Sequence, residues 1–381
     1  MSTLVENVTC LGCGCACDDI AIRVDEALIV ETRNACSLGS GWFRAERSTS
    51  RTVVDGQDAT LERAIGAAAK LLQSSRRPAI FVASALSCEE QRTCVAIADV
   101  LRARLDSSTT MTALPHVLAS QERGFATATF GEVRNRADLV VYWGVDIQTR
   151  YPRFVSRYAP TAAPATAVDV GSATASVDAA HRFSVDPANE LATLIALRSS
   201  SNDGIGALFA DKQYIALIYD AEPDERAARS PQRFDALIAL AQSLNDRTRC
   251  AAIALRQGGN VSGADSVFTA SGGYPTAIDF GRGYPQYRPH GTLDADVVLV
   301  IGDPAMAHQP RFDGASTIAI GPNATSSTLG PATIAIDTGA AGIHIAGTAV
   351  RADDVPLPLR PSLSATRSVG DVLTALVVAV R

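Results

Sequence analysis

"ADLVVYWG", residues 137–144, is an apolar run of strand length, broken only by Asp138 near its start and closed by a glycine. Such a run suits a strand buried on both faces of a sheet. Residues 61–73 precede it with apolar positions Leu61, Ile65, Ala68 and Leu72, one face of an amphipathic helix, and "PAIFVAS" (78–84) reads as another buried strand. Ser87 followed by Glu90 is a capping-box pair, and Cys94, Ala98, Leu101 and Leu105 extend the apolar face of the helix it opens. "ATAVDV" (165–170), "CAAIALR" (250–256), "ADVVLVIGD" (295–303), "STIAIGP" (316–322) and "ATIAIDT" (332–338) repeat the strand pattern. Buried strands alternating with amphipathic helices predict an α/β fold with mostly parallel sheets and helices on both faces. The expected organisation is a cysteine-rich N-terminal domain at 1–52, one α/β lobe at 53–203, a second at 204–338, and a small irregular cap with a final helix at 339–381. The polar stretch "SSSNDGIG" (199–206) marks the boundary between the lobes.

The 381 residues carry 40 acidic and 34 basic side chains, a formal net charge of −6, with no basic block longer than a pair. A general nucleic-acid surface needs a concentrated basic stripe, so that class is excluded. "MSTLVENVTC" (1–10) has neither the basic nor the apolar region of a secretory signal. "DVLTALVVAV" (371–380) falls far short of the roughly 20 residues that cross a bilayer. The expectation is a soluble cytoplasmic protein.

Four of the 8 cysteines lie in "CLGCGCACDD" (10–19), and Cys36 follows in "RNACSLGSGWF". In a reducing compartment clustered cysteines are metal ligands more often than disulfides, whereas Cys88, Cys94 and Cys250 stand alone and read as buried small apolar residues. Cys10, Cys13 and Cys17, with Cys36 delivered by a later turn, have the spacing of an iron–sulfur ligand set. A tetrathiolate zinc site and a metal-free apolar knot are the competing readings, and Cys15 is a fifth candidate thiol.

Together with "SCEEQRTCVAIADVL", "FGEVRNRADLVVYWGVDIQTRYPRFVSRYAP", "GNVSGADSVFTASGGYPTAIDFGRGYPQYRP" and "GTAVRADDVPLPLR", this cysteine segment resembles the B subunit of formylmethanofuran dehydrogenase over nearly the whole chain. That protein is a relative of molybdenum- and tungsten-dependent formate dehydrogenases. The resemblance implies a multi-lobed body like that of formate dehydrogenase and DMSO reductase, with Rossmann-like parallel sheets and a small cluster-binding domain. In the redox members a cysteine or selenocysteine, within a segment resembling V-C-H-G-P-S, ligates the metal of a bis-pterin cofactor. Here that segment is "MTALPHVLASQERG" (111–124), and Pro115 with residues 121–124 sets the register. Thr112 then stands in place of the metal-binding thiol and Ala113 in place of the adjacent histidine. A threonine hydroxyl is a poor ligand for a metal that calls for a soft thiolate, and alanine relays no proton.

This departure makes the chain similar to the B subunit of the bacterial formyltransferase/hydrolase complex of methylotrophs. The resemblance implies a non-catalytic subunit in one-carbon metabolism, specifically formaldehyde oxidation. Sister transferase, hydrolase and C subunits would pass a formyl group from tetrahydromethanopterin to methylofuran and release formate. No molybdenum or tungsten pterin is expected; a [4Fe-4S] cluster is left open, and methylofuran is associated with the complex. The alternative is the B subunit of a metallopterin-dependent formylmethanofuran dehydrogenase. His116, His181, His290, His308 and His344 are scattered, without the spacing of a hydrolytic zinc pair, and no P-loop or nucleophile elbow occurs. The loops "RQGGNVSGADSV" and "SGGYPTAIDFGRGYP" read as turns before they read as phosphate cradles. Arg150, Arg153, Arg157, Arg282 and Arg288 are candidate contacts for an anionic tenant, the polyglutamate tail of methylofuran. The acidic run Asp220, Glu222, Asp224 and Glu225 reads as a solvated face.

Overall fold

The computed structural model describes residues 2–199, 204–224, 226–288, 294–303, 312, 314–326 and 332–381. His290, His308 and Glu225, among the candidates from sequence, fall outside them. Two open sheets form the body. In the smaller, five parallel strands run in the order His181–Val185, Ala165–Val170, Leu139–Trp143, Tyr214–Asp220, Arg249–Leu255. Strand order reverses between Leu139–Trp143 and Tyr214–Asp220, and at such a point the carboxyl ends of the strands open a crevice. The larger sheet has nine strands. Its centre, Arg104–Ser107, Pro78–Val82, Val297–Ile301, Ser316–Gly321 and Ile334–Asp337, is parallel, and short antiparallel strands flank it.

The α/β expectation with parallel sheets holds, and each strand expected from the sequence is present within a residue or two of its expected ends. The sheets cut across the expected lobes, however. Residues 53–203 and 204–338 each supply strands to both sheets. Tyr214–Asp220, the strand joining the halves of the smaller sheet, is buried at all seven positions and has no counterpart among the strands expected from sequence. The helix opened by Ser87 carries its capping box as expected, but it ends at Leu101 because Arg102 turns into the left-handed region (φ 52°, ψ 39°). Leu105 therefore belongs to a strand and not to that helix's apolar face.

At the N-terminus, Thr3–Val8, Ile20–Asp25 and Leu28–Arg33 form a small antiparallel sheet, and the cysteine segment is the loop between its first two strands. The final helix, Val369–Val380, starts at a Ser368–Asp371 capping box and buries Val369, Val372, Leu373 and Leu376 against the helices Leu61–Ser74 and Cys88–Leu101. Each such burial is worth roughly 1.5–3 kcal/mol, which fastens the chain's end to the larger sheet. Among the described residues no helix is long and apolar enough to cross a membrane.

Candidate functional site

The carboxyl ends of strands from both sheets converge between them. Arg104–Ser107 leads into the short helix Thr109–Thr112 and then into Leu114–Arg123, where Pro115 occupies the first turn and so forfeits no intrahelical bond. Thr112 and Ala113 are almost completely buried. The Thr112 hydroxyl shares its one proton between the Ser108 carbonyl and Glu222 Oε1, each 3.0 Å away. Glu222 stands just beyond the strand Tyr214–Asp220. Its Oε1 also receives Arg256 Nε at 3.1 Å, and its Oε2 receives the Gln257 backbone N–H at 2.5 Å. Arg256 follows Arg249–Leu255 and extends Nη1 to Asp265 (2.5 Å) and Nη2 to Thr109 Oγ1 (3.0 Å), while the Thr109 hydroxyl donates to Asp265 (2.7 Å).

The result is a chain of contacts from Thr112 through Glu222, Arg256 and Asp265 back to Thr109, on the helix that ends at Thr112. Burial pulls the Arg256 pKa down, but Asp265 and Glu222 outweigh it and the net shift is upward. Asp220, two residues before Glu222, is buried against Arg150 Nε at 2.6 Å; burial pushes its carboxyl up to about 6 although Arg150 opposes the shift. The acidic run is thus no solvated face at Asp220 and Glu222, which are 2% and 1% exposed; of its described members only Asp224 is open to solvent.

The cysteine segment packs on the same arginine. A β-carbon on Gly14 would run into the Arg256 carbonyl, and one on Gly258 into the Leu11 carbonyl, so two glycines let the backbones meet. The Gly259 N–H donates to Leu11 O (2.8 Å) and the Ala352 N–H to Gly14 O (3.1 Å). Close backbone approach thereby accounts for Gly258 in the "RQGGNVSG" loop without a phosphate. Arg153 grips Asp19 with both terminal nitrogens (2.6 and 2.7 Å), and Arg157 bonds Asp19 (2.7 Å) and Asp18. Burial raises the Asp19 pKa, yet these guanidinium groups hold it below the usual carboxylate range.

Within the segment, Cys10 Sγ accepts from the Gly12 N–H (3.3 Å), and Cys36 Sγ caps the helix Ser37–Arg44 by accepting from the Gly39 N–H (3.4 Å). A β-carbon on Gly39 would press on the Cys10 sulfur at 3.2 Å and touch the Cys36 sulfur at 3.8 Å. The Cys15 thiol donates toward Cys13, which lowers the Cys13 pKa and raises that of Cys15; burial raises Cys10 and Cys17. Among the described residues no three His, Cys, Asp or Glu side chains are arranged to hold a metal ion. Cys10, Cys13, Cys15, Cys17 and Cys36 lie close enough for their charges to influence one another.

The other sequence candidates separate. Arg150, Arg153 and Arg157 are engaged by carboxylates of the chain itself, Arg150 by Asp220 and Asp224. Arg282 and Arg288 lie apart from them, in a cavity beside the start of the Pro78–Val82 strand. Arg150 and the Arg282–Arg288 pair thus line different cavities. His116 is a core residue: Nε2 is 3.1 Å from Tyr219 Oη, Phe125 and Phe234 meet the ring edge-to-face, and burial, aided by Arg256, lowers its pKa to about 3. His344 Nδ1 accepts the Ala340 N–H, and His181 is exposed on an edge strand. Cys88, Cys94 and Cys250 are buried, as expected. Sequence reasoning misses Glu222, Arg256, Asp265 and Thr109. The signal for the first two is a charged residue at the end of a long apolar run.

No protein-family model matches the chain. It is 30% identical, over a 414-residue alignment spanning 94% of both chains, to the B subunit of the tungsten-containing formylmethanofuran dehydrogenase 2 of Methanocaldococcus jannaschii. The protein of the same description from Methanococcus maripaludis is 28% identical over the same extent. In fold it is similar to a chain of the formyltransferase/hydrolase complex of Methylorubrum extorquens, whose crystal structure was determined in complex with methylofuran. The TM-score is 0.73 at 21% identity, with 86% of this chain and 98% of that chain covered. On the extent and identity of the first match, the chain belongs to the family of formylmethanofuran dehydrogenase B subunits.

Proposed function

We propose that the chain is a redox-inactive structural subunit of a complex that passes a formyl group from tetrahydromethanopterin to methylofuran and releases it as formate, with both reactive sites on sister subunits. The surroundings of Thr112 carry this reading. Oxidising a formyl group calls for an electron acceptor and a group that takes up the proton. At positions 112 and 113 the chain offers a hydroxyl whose proton is already shared between two acceptors, and a methyl group. The carboxylate behind the hydroxyl is matched by the Arg256 guanidinium and the Gln257 N–H. A tungsten or molybdenum pterin, when bound in a relative, supplies the redox chemistry; a threonine hydroxyl and a methyl group do not fit its metal. Formyl transfer followed by hydrolysis needs no oxidant, because water supplies the oxygen of formate and the carrier regains a proton. The cysteine segment serves in this reading as a structural element docked on Arg256.

Tungsten in the names of the relatives favours a second reading, a metallopterin-dependent dehydrogenase. Thr112→Ala in the assembled complex separates the two. Formate release per assembled complex stays within about twofold of wild type under the structural reading, because no charge develops at Thr112 during transfer or hydrolysis, and wild type does not reduce artificial electron acceptors. Acceptor reduction by wild type that Thr112→Ala abolishes establishes the second reading instead.

A further inference from the structure

Opposite the ends that meet at Glu222 and Arg256, the amino-terminal ends of the larger sheet's strands bear a charge feature that the proposed function leaves unused. A cavity of ≈ 810 Å³ is walled there by Arg76, Arg77, Arg102, Arg104, Arg282 and Arg288. Topology gathers them. Arg76 and Arg77 lead into Pro78–Val82, and Arg104 opens the neighbouring strand just after the left-handed Arg102. Arg282 lies in the turn between Ile278–Asp279 and Gln286–Tyr287, and Arg288 follows the second of these strands.

Internal carboxylates engage half of the set. Asp294 holds Arg77 through two contacts (2.5 and 2.6 Å), and Asp279 meets Arg288 at 2.9 Å and Arg104 at 3.6 Å. Asp296, nearby, is taken up by Ser75 and by the backbone N–H groups of Arg76 and Arg77. Among the described residues no side-chain hydrogen bond or ion pair reaches the guanidinium of Arg76, Arg102 or Arg282. Tyr274 and Tyr287 stack at 5.6 Å between centroids and line the same cavity. In a chain of net charge −6 such a concentration of cations runs against the overall field and draws anions locally.

Guanidinium groups pair bidentately with carboxylates and phosphates. Here they are spread around a wide cavity and not focused on one point. A single compact anion would satisfy one or two of them, whereas a chain of anionic groups reaches several. We infer that this cavity binds a multivalent anion, a chain bearing several carboxylates or phosphates that engages Arg76, Arg102 and Arg282. The inference does not depend on whether the chain is redox-active.

The test is calorimetric titration of the full-length protein with two probes, hexa-aspartate and tripolyphosphate, at low and at high salt. At least one probe should bind saturably. Affinity should fall on adding salt and by about tenfold or more in Arg102→Gln/Arg282→Gln. Arg76→Gln should weaken binding to a lesser degree, and Arg23→Gln/Arg33→Gln, on the N-terminal sheet, should leave it unchanged. The three cavity side chains have no described partner, so the variants should retain the wild-type unfolding midpoint. Preference for hexa-aspartate identifies a carboxylate chain and preference for tripolyphosphate a phosphate chain; either supports the site. No saturable binding of either probe overturns it, as does undiminished binding in the double variant or an equal loss in the N-terminal control.

Discussion

Two polar centres meet at Arg256 and are built on opposite plans. Around Thr112 the groups are hard, oxygen and guanidinium, and each buried charge faces its opposite: Glu222 and Asp265 on Arg256, Asp220 on Arg150. Around Cys13 the groups are soft thiols, three of them pushed toward the neutral form, and the grip on the segment comes from its backbone and from Arg153 and Arg157 on Asp18 and Asp19. The first centre couples three strand ends from two sheets, so its loss should be felt throughout the body. The second docks a small domain, so its loss should be felt locally. Position in the fold, more than chemical type, sets what each centre can do.

The largest effect expected is at Arg256 itself. Arg256→Met leaves Glu222 and Asp265 buried without their cation, and breaking a buried pair in this way costs about 3–5 kcal/mol, read as a lowered midpoint in denaturant unfolding. A loss below about 1 kcal/mol would mean that the junction does not hold the sheets together. Cys13→Ser or Cys17→Ser should cost less, within the roughly 0.5–3 kcal/mol of ordinary substitutions, and should reduce assembly with sister subunits more than turnover per assembled complex. Full assembly with abolished turnover would reverse the contrast between the two centres.

Acid should act on the first centre through His116. Its folded pKa, about 3, lies below the ordinary 6.5, so the unfolded chain binds the extra proton between these values. The stability from keeping this ring neutral is complete above pH 6.5 and is lost as pH falls toward 3. Asp220, raised to about 6, works in the other direction: its contribution is present below pH 3.8 and lost as pH rises through 6. His116→Gln should therefore flatten the acid limb of the stability profile between pH 6.5 and 3, and an unchanged slope would show that the ring does not titrate with unfolding. Smallest is Thr112→Ala, at about 1 kcal/mol for one shared hydroxyl.

Much of this is legible in the sequence. Periodicity yields the parallel strands, and the Ser87–Glu90 capping box places a helix start, because those signals are local. Glu222 is misread because four acids within six residues look solvated, and the sequence does not show that a seven-residue buried strand carries two of them into the gap between the sheets. The same strand explains why the lobes divide by position along the chain when read from sequence: without it, the smaller sheet has no link between Leu139–Trp143 and Arg249–Leu255. The arginines show the limit of composition. Arg150, Arg153 and Arg157 resemble Arg282 and Arg288 in sequence, yet only the folded chain shows that the first three meet carboxylates of their own chain while Arg282 faces open space.

The claim that the Thr112 centre is a structural joint and not a redox site is tested most directly by the metal content of the intact complex. Elemental analysis of complex purified from its native host should find no stoichiometric tungsten or molybdenum, alongside undiminished formate release. About one equivalent of either metal per copy of this chain would contradict the account and make the chain a metallopterin enzyme with an unusual ligand.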